Sequence, residues 1–117
     1  MEYQPPQFPS GRPSCFRSTV HGMVFAGRDR HLDEVNDGDA MTLVPDPPGQ
    51  DEPEVWVHLS TGEPVGHLPP EISCWLWPWM RSGGAAEARA LRVRGDDVPS
   101  WRRLVLEVVC MTGAASA

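Results

Sequence analysis

The sequence contains no lysine: all ten basic residues are arginine, set against sixteen Asp and Glu, and the formal net charge is −6. Phosphate contacts supply most of the affinity of proteins for nucleic acids, so this balance argues against strong general binding to DNA or RNA. The charge is uneven, however. Residues 29–71 hold eleven carboxylates and one arginine, whereas residues 81–107 hold six arginines and four carboxylates. The exclusive use of arginine is interpreted as codon bias rather than selection for bidentate phosphate contacts.

Cysteine is scarce and does not follow a metal-ligand pattern. Cys15, Cys74 and Cys110 are far apart, form no Cys-x-x-Cys pair and show no Cys/His ligand spacing. A structural zinc site or a disulfide framework is therefore not expected, and we interpret the three as reduced, buried thiols. A phosphate-binding glycine loop and a recognisable nucleophile elbow are also missing, so we expect a non-enzyme with no cofactor and no bound metal.

Long hydrophobic runs are missing as well. The longest apolar stretch, residues 104–111, is interrupted by Glu107 and is far shorter than the roughly 20 residues of a membrane-spanning helix. The N-terminus shows no charged segment followed by an apolar one, which a secretory leader would require. We therefore expect a soluble, cytoplasmic protein with no membrane partner. Its 117 residues are enough for one domain with a real core.

The sequence does contain a succession of short segments with strand patterning, separated by Gly, Pro, Asn and Asp. The predicted strands are residues 16–25, 40–44, 54–60, 63–67, 85–94 and 101–111, and the fifth has a start that is also compatible with a helix. Residues 1–14 carry four prolines and are predicted to be a flexible tail, and residues 112–117 a frayed end. The domain is then residues 15–111.

One segment has helical periodicity. Pro70 suits the first turn of a helix, and apolar residues follow at positions i, i+3, i+4 and i+7: Ile72, Trp75, Leu76 and Trp79. Pro78 should kink or shorten this helix, and Trp77 is left partly exposed. Six short strands and one main helix predict a mainly β protein. A small OB-like antiparallel β-barrel is the natural closure because it removes exposed strand edges.

Several of these segments together resemble the HIRAN domain, a small β-barrel module at the front of some DNA-remodelling helicases that also occurs alone in bacteria. The resemblance, to the stand-alone bacterial type, spans roughly residues 19–111. It rests on VHGMVF (20–25), GDAMTL (38–43), DP (46–47), VWV (55–57) and GHLP (66–69) in this order and spacing.

The resemblance implies an OB-like barrel with a packed helix and a binding site for single-stranded DNA. HIRAN domains of fork-remodelling helicases grip a 3′ end, stack bases on aromatic rings and use polar groups on the long loop and near the helix start. Carried onto this sequence, Phe25, His67 and Trp101 would form the pocket, and Arg102 and Arg103 would reach phosphate. For the three pocket residues the competing interpretation is structural: a capping histidine and two core aromatics. For the arginines it is a solvated outer strand face.

The long loop departs from the family pattern. Asp51 occupies the position where DNA-binding members have an aromatic ring, although a second acid is retained as Glu52. Losing a stacking ring removes about 1–3 kcal/mol, and the carboxylate would face phosphate. A lysine that the DNA-binding members place after the histidine is Pro70 here.

Two functions therefore remain open from the sequence. The first is a DNA-binding module that weakly recognises single-stranded or broken DNA and assists a repair or remodelling enzyme, such as a helicase or nuclease. The alternative is a protein–protein interaction module that has lost DNA binding and meets its partner through Trp77, Asp51 or Glu52. The acidic balance favours the alternative, and the retention of Phe25 and His67 favours the first.

Overall fold

The computed structural model describes residues 5–23, 25–95 and 97–112, apart from the side chains of residues 25, 26, 29 and 100. The regular elements are β1 (Cys15–Thr19), β2 (Ala40–Pro45), β3 (Val55–Leu59), β4 (Pro64–His67), α1 (Pro70–Arg81), β5 (Ala86–Val93) and β6 (Leu104–Cys110). Two 3-10 helices, Phe25–Glu34 and Ser100–Arg102, precede β2 and β6.

The strands form one curled antiparallel sheet in the order β1-β6-β5-β2-β3-β4. Its two edges meet just beyond β1, where His21 donates its N–H to the His67 carbonyl at 2.8 Å and accepts the His67 N–H at 2.9 Å. This bridge joins the first and last strands of the sheet. The prediction of a mainly β, OB-like fold with six strands and one helix is confirmed.

The core follows from the two periodicities of the sequence. On β3 the buried residues alternate as Val55, Val57 and Leu59, so one face of the strand lies inside. The helix contributes Ser73, Trp75, Leu76 and Trp79 to the interior. Ile72, which the spacing placed on the same face, is only half-buried.

The predicted interruption of the helix at Pro78 does not shorten it, because α1 continues to Arg81. Proline lacks an N–H, so the ladder loses one donor there, but the Pro78 carbonyl still accepts the N–H of Ser82 at 3.1 Å. No helix in residues 5–23, 25–95 and 97–112 is long and apolar enough to cross a membrane.

Part of the proline-rich segment lies against this helix. The Phe8 ring packs edge-on against Trp79 and Trp75, with centroid distances of 5.2 and 5.8 Å. The Trp79 indole N–H donates to the Pro6 carbonyl at 3.2 Å. The sequence predicted a flexible tail over residues 1–14; these contacts place residues 6–8 on α1.

Two strand boundaries differ from the prediction. The first strand ends at Thr19, and Phe25 begins a 3-10 helix instead of ending a strand, since the intervening Gly22 has φ +75° and breaks the extended path. The last strand begins at Leu104, so Trp101 and Arg102 lie on a 3-10 turn. The Arg102 N–H closes this turn on the Pro99 carbonyl at 2.9 Å.

The thiols are not all buried. Cys110 is buried, and desolvation raises its pKa to about 11, which keeps the thiol protonated near neutral pH. Cys15 and Cys74 are exposed, so the prediction of three buried thiols is wrong for these two. Both sit on surface-facing positions, at the start of β1 and on the outer side of α1.

Candidate nucleic-acid interface

His67 lies at the point where the sheet closes. Its backbone pairs with His21, and the two imidazole centroids are 6.5 Å apart. The His21 ring in turn contacts the Thr19 hydroxyl at 3.1 Å. Gly22 makes room for the His67 ring, because a Cβ at position 22 would lie 2.7 Å from its Nε2 atom. The closure between β1 and β4 therefore leaves room for the His67 imidazole.

Trp56 stands opposite His67 on the neighbouring strand β3. The two rings meet edge-to-face at 5.4 Å, and the Trp56 indole N–H donates to the Asp46 carboxylate at 2.9 Å, which fixes the ring. Arg28 lies over the ring, with its Cζ 4.8 Å from the centroid. The guanidinium also donates to the Gly22 carbonyl at 2.8 Å. We call His21, Arg28, Trp56 and His67 the His–Trp–Arg cluster.

This cluster combines a planar cation with aromatic surface. A guanidinium over an indole ring gains about 0.5–2 kcal/mol, and a nucleobase can stack on aromatic or guanidinium surface of this kind. Such a layered arrangement suits bases and phosphates. Among the described residues, no three His, Cys, Asp or Glu side chains converge as a metal site.

Carboxylates lie on one flank of the cluster. The long loop between β2 and β3 is closed at its base, where Asp46 and Glu54 exchange hydrogen bonds of 2.9 Å. The Glu54 carboxylate is 3.7 Å from Nδ1 of His67. Asp51 and Glu52 are exposed on the same loop. A cavity of about 470 Å³ separates this loop from the start of α1 and is lined in part by Glu52, Glu54 and Cys74.

The two arginines predicted to contact phosphate, Arg102 and Arg103, lie with Trp101 in the connection between β5 and β6, which we call the hairpin tip. Trp101 is 50% exposed, and the Arg102 guanidinium lies 5.7 Å from its ring centroid. Arg103 has a structural role, since its Nε donates to the Val98 carbonyl at 3.1 Å and its own carbonyl accepts the Arg94 N–H at 2.7 Å. Trp101 is therefore not a core aromatic residue. Arg102 is better placed than Arg103 to contact a phosphate, because the Arg103 side chain is bonded within the domain.

The start of β6 and His67 are linked through the chain that follows β1. The Val20 N–H donates to the Leu104 carbonyl at 3.3 Å, and the next residue, His21, pairs with His67. Trp101 is three residues before Leu104. Residues 20 and 21 therefore connect the start of β6 to His67, and no contact between Trp101 and His67 is found among the described residues.

The HIRAN domain of human HLTF has a similar fold. The two superpose with a TM-score of 0.60 over 83% of this chain and 74% of that one, at 20% sequence identity. The fold is HIRAN-like. No protein-family model matches the sequence, and no curated protein matches it either. At this identity the likeness shows the fold alone.

Two further residues that the sequence placed in a candidate interface are Phe25 and Trp77. Phe25 opens the 3-10 helix that carries Arg28, but its side chain lies outside the described residues. Trp77 is half-buried, and its indole N–H donates to the Asp46 carbonyl at 2.9 Å, so its polar edge is engaged inside the domain.

Sequence reasoning missed Arg28, His21 and Trp56. Trp56 carried a signal, since it occupies an outward position of an alternating strand, where a large aromatic ring is unusual. Arg28 carried none, because residues 27–30 read as a turn and not as the helix that brings this side chain back over β3.

Proposed function

We propose that this chain is a non-catalytic HIRAN-type module that weakly binds single-stranded DNA or strand ends and assists a repair or remodelling enzyme. The observation that supports this proposal is the Arg28 guanidinium layered on Trp56 beside His67. Trp101 and Arg102 add a second exposed pair of an aromatic ring and a guanidinium.

The chemistry of the two groups is complementary. Trp101 offers an exposed ring for one base, at about 1–3 kcal/mol per stacked base, and Arg102 lies close enough to meet the adjoining phosphate. In the cluster, the outer plane of Arg28 can stack on a base while its charge attracts phosphate. Binding is weak in this proposal because Glu52 and Glu54 flank the cluster and the net charge is −6.

The proposal is tested by fluorescence anisotropy with a short single-stranded oligonucleotide at low salt, carrying either a free or a phosphorylated 3′ end. Micromolar binding is expected, and preference for the free 3′ hydroxyl would extend the likeness to DNA-end binding. Arg28→Ala should weaken binding about tenfold through loss of the stacked cation. The matched control Arg81→Ala removes the same charge at the end of α1. No binding at tens of micromolar, or equal effects of the two variants, would contradict the proposal.

A salt series isolates the contribution of Arg102. If its guanidinium meets one phosphate, Arg102→Ala should lower the slope of log K against log salt by about 0.7, the value for one contact on a single strand. Arg89→Ala is the control, because Arg89 is already paired with Glu107 at 2.8 Å and should leave the slope unchanged. An unaltered slope for Arg102→Ala would remove this residue from the interface.

A second candidate function is a protein-interaction module, and the acidic cavity beside the loop favours it. Glu52 and Glu54 line this cavity at the edge of the cluster, and Asp51 is exposed on the same loop. A failure of oligonucleotide binding would favour this alternative, with a helicase or nuclease as the class of partner to test. Trp77 is the weaker candidate for such a contact because its indole N–H is bonded to Asp46.

A further inference from the structure

The backbone pairing between β2 and β5 is shorter than either strand. Their pairing covers Ala40–Arg89 and Met41–Ala88, although β2 continues to Pro45 and β5 already begins at Ala86. In the same register the next hydrogen-bonded pair would be Leu43 with Ala86, and it is not formed. The sheet is therefore split between two neighbouring strands.

A cleft of about 660 Å³ lies at this split. Leu43 and Ala86 both line it, together with Thr42, Glu87 and Val109. The cleft is on the opposite side of β2 from β3, which carries the His–Trp–Arg cluster residue Trp56. It is thus a feature separate from the proposed DNA site.

On the β5 side, the pairing of β5 with β6 determines which way the backbone groups of Ala86 point. The Cys110 N–H donates to the Ser14 carbonyl, on the β1 side of β6, at 2.7 Å. Successive residues of a strand direct their backbone N–H and C=O groups to opposite neighbouring strands. The backbone groups of Val109 therefore face β5, and those of its partner Glu87 face β6. Ala86 consequently directs its N–H and C=O groups into the cleft.

On the β2 side, the direction follows from β3. The Leu59 N–H donates to the Glu63 carbonyl, away from β2, at 2.8 Å. Its partner Met41 therefore points away from β3, and Leu43, two residues later, points the same way. The backbone groups of Leu43 and Ala86 thus both face the cleft without the partner that the register assigns. A strand edge of this kind is a template for another chain.

The side chains indicate which kind of strand fits. Arg89 is paired with Glu107 at 2.8 Å. The Glu87 carboxylate has no ion-pair partner within the described residues. Val109 is 39% exposed and adds apolar surface. A segment that alternates apolar and basic side chains complements this lining.

We propose that the β2–β5 cleft binds an extended basic segment of a partner protein, which adds as a strand to the Leu43 edge of β2 and places a Lys or Arg beside Glu87. Main-chain hydrogen bonds supply the affinity in this binding mode, and alternate side chains supply the specificity. This activity goes beyond DNA binding and does not depend on it.

The experiment uses the full chain, labelled with ¹⁵N, and the synthetic peptide acetyl-TVKVKVT-amide. We expect the Leu43 and Ala86 amide signals to shift on titration, with a dissociation constant of hundreds of micromolar, and the Leu43 amide to become protected from hydrogen exchange. Two control peptides separate the contributions: acetyl-TVEVEVT-amide inverts the charge, and a backbone N-methylated version of the basic peptide removes its donors. Each should bind at least tenfold more weakly.

Charge reversal on the protein gives an independent test. Glu87→Lys should reverse the preference between the basic and acidic peptides, whereas Asp33→Lys, at an exposed position of the first 3-10 helix, should not. Three results would overturn the proposal: no shift at Leu43 or Ala86 with 1 mM basic peptide, equal binding of the N-methylated peptide, or unchanged preference in Glu87→Lys. Concentration-dependent dimerisation that protects Leu43 would show a second copy to be the occupant and would overturn it too.

Discussion

Replacing Gly66 with alanine is expected to destabilise the fold by about 3 kcal/mol and to lower the melting temperature by roughly 10 °C. Gly66 lies on β4, directly before His67, and is buried. A Cβ at this position would lie 2.7 Å from Cγ1 of Val20 and still closer to the His21 carbonyl oxygen. Backbone cannot move aside as a flexible side chain can.

The clash falls on the atoms that close the sheet. The His21 carbonyl that the new methyl group would meet is the acceptor of the His67 N–H at 2.9 Å. Moving it away breaks the bridge between the edge strands and displaces the His67 ring from Trp56. We therefore expect Gly66→Ala to weaken oligonucleotide binding at temperatures where the variant is still folded.

Gly95→Ala is the matched control. A Cβ there meets its nearest atom, a carboxylate oxygen of Asp97, at an ordinary distance of 3.4 Å. Chemical unfolding of the two variants should separate them by at least 2 kcal/mol. Equal stability of Gly66→Ala and the unaltered protein would show that the bridge is not needed to hold the two edges together.

The regular elements could be predicted from sequence because each one carries its own period. Val55, Val57 and Leu59 alternate on β3, and Trp75, Leu76 and Trp79 recur at helical spacing on α1. Such local patterns report which side of an element is buried. They therefore gave the number of strands and the position of the helix.

The closure of the barrel and the candidate site depend on contacts between distant residues, which local patterns do not encode. The His21–His67 pairing spans a large part of the chain. Arg28 reaches Trp56 only because residues 25–34 coil into a 3-10 helix of weak amphipathicity. The family resemblance pointed to His67. His21 and Trp56 lie in segments that carry the resemblance, but it assigned them no role, and Arg28 lies outside those segments.

The interrupted ladder illustrates the same limit in the sheet. Residues 40–44 and 85–94 both read as strands, and nothing in their alternation says that they diverge after two pairs. The Leu43–Ala86 pair is absent although both residues lie within their strands. Strand patterning predicts membership of a sheet but not the length of each ladder.

The second large effect is expected from replacing tryptophan with alanine. At Trp79 the change should lower stability, and at Trp101 it should weaken oligonucleotide binding instead. Trp79→Ala is expected to cost about 3–5 kcal/mol of unfolding free energy, the usual range for a buried Trp. Trp79 is 4% exposed, packs against Phe8 and lies directly beneath Gly84. A domain of this size has about 5–15 kcal/mol in total, so the variant should be close to unfolding.

Trp101→Ala removes the same side chain from a 50% exposed position on the hairpin tip, and should change the unfolding free energy by less than about 1 kcal/mol. Its effect should appear instead in oligonucleotide binding, as a loss of about 1–3 kcal/mol, or roughly 5- to 150-fold in affinity. Urea unfolding and anisotropy on both variants measure the two quantities separately. If Trp101→Ala unfolds the protein or leaves affinity unchanged, the ring does not stack on DNA, and the interface is restricted to the His–Trp–Arg cluster.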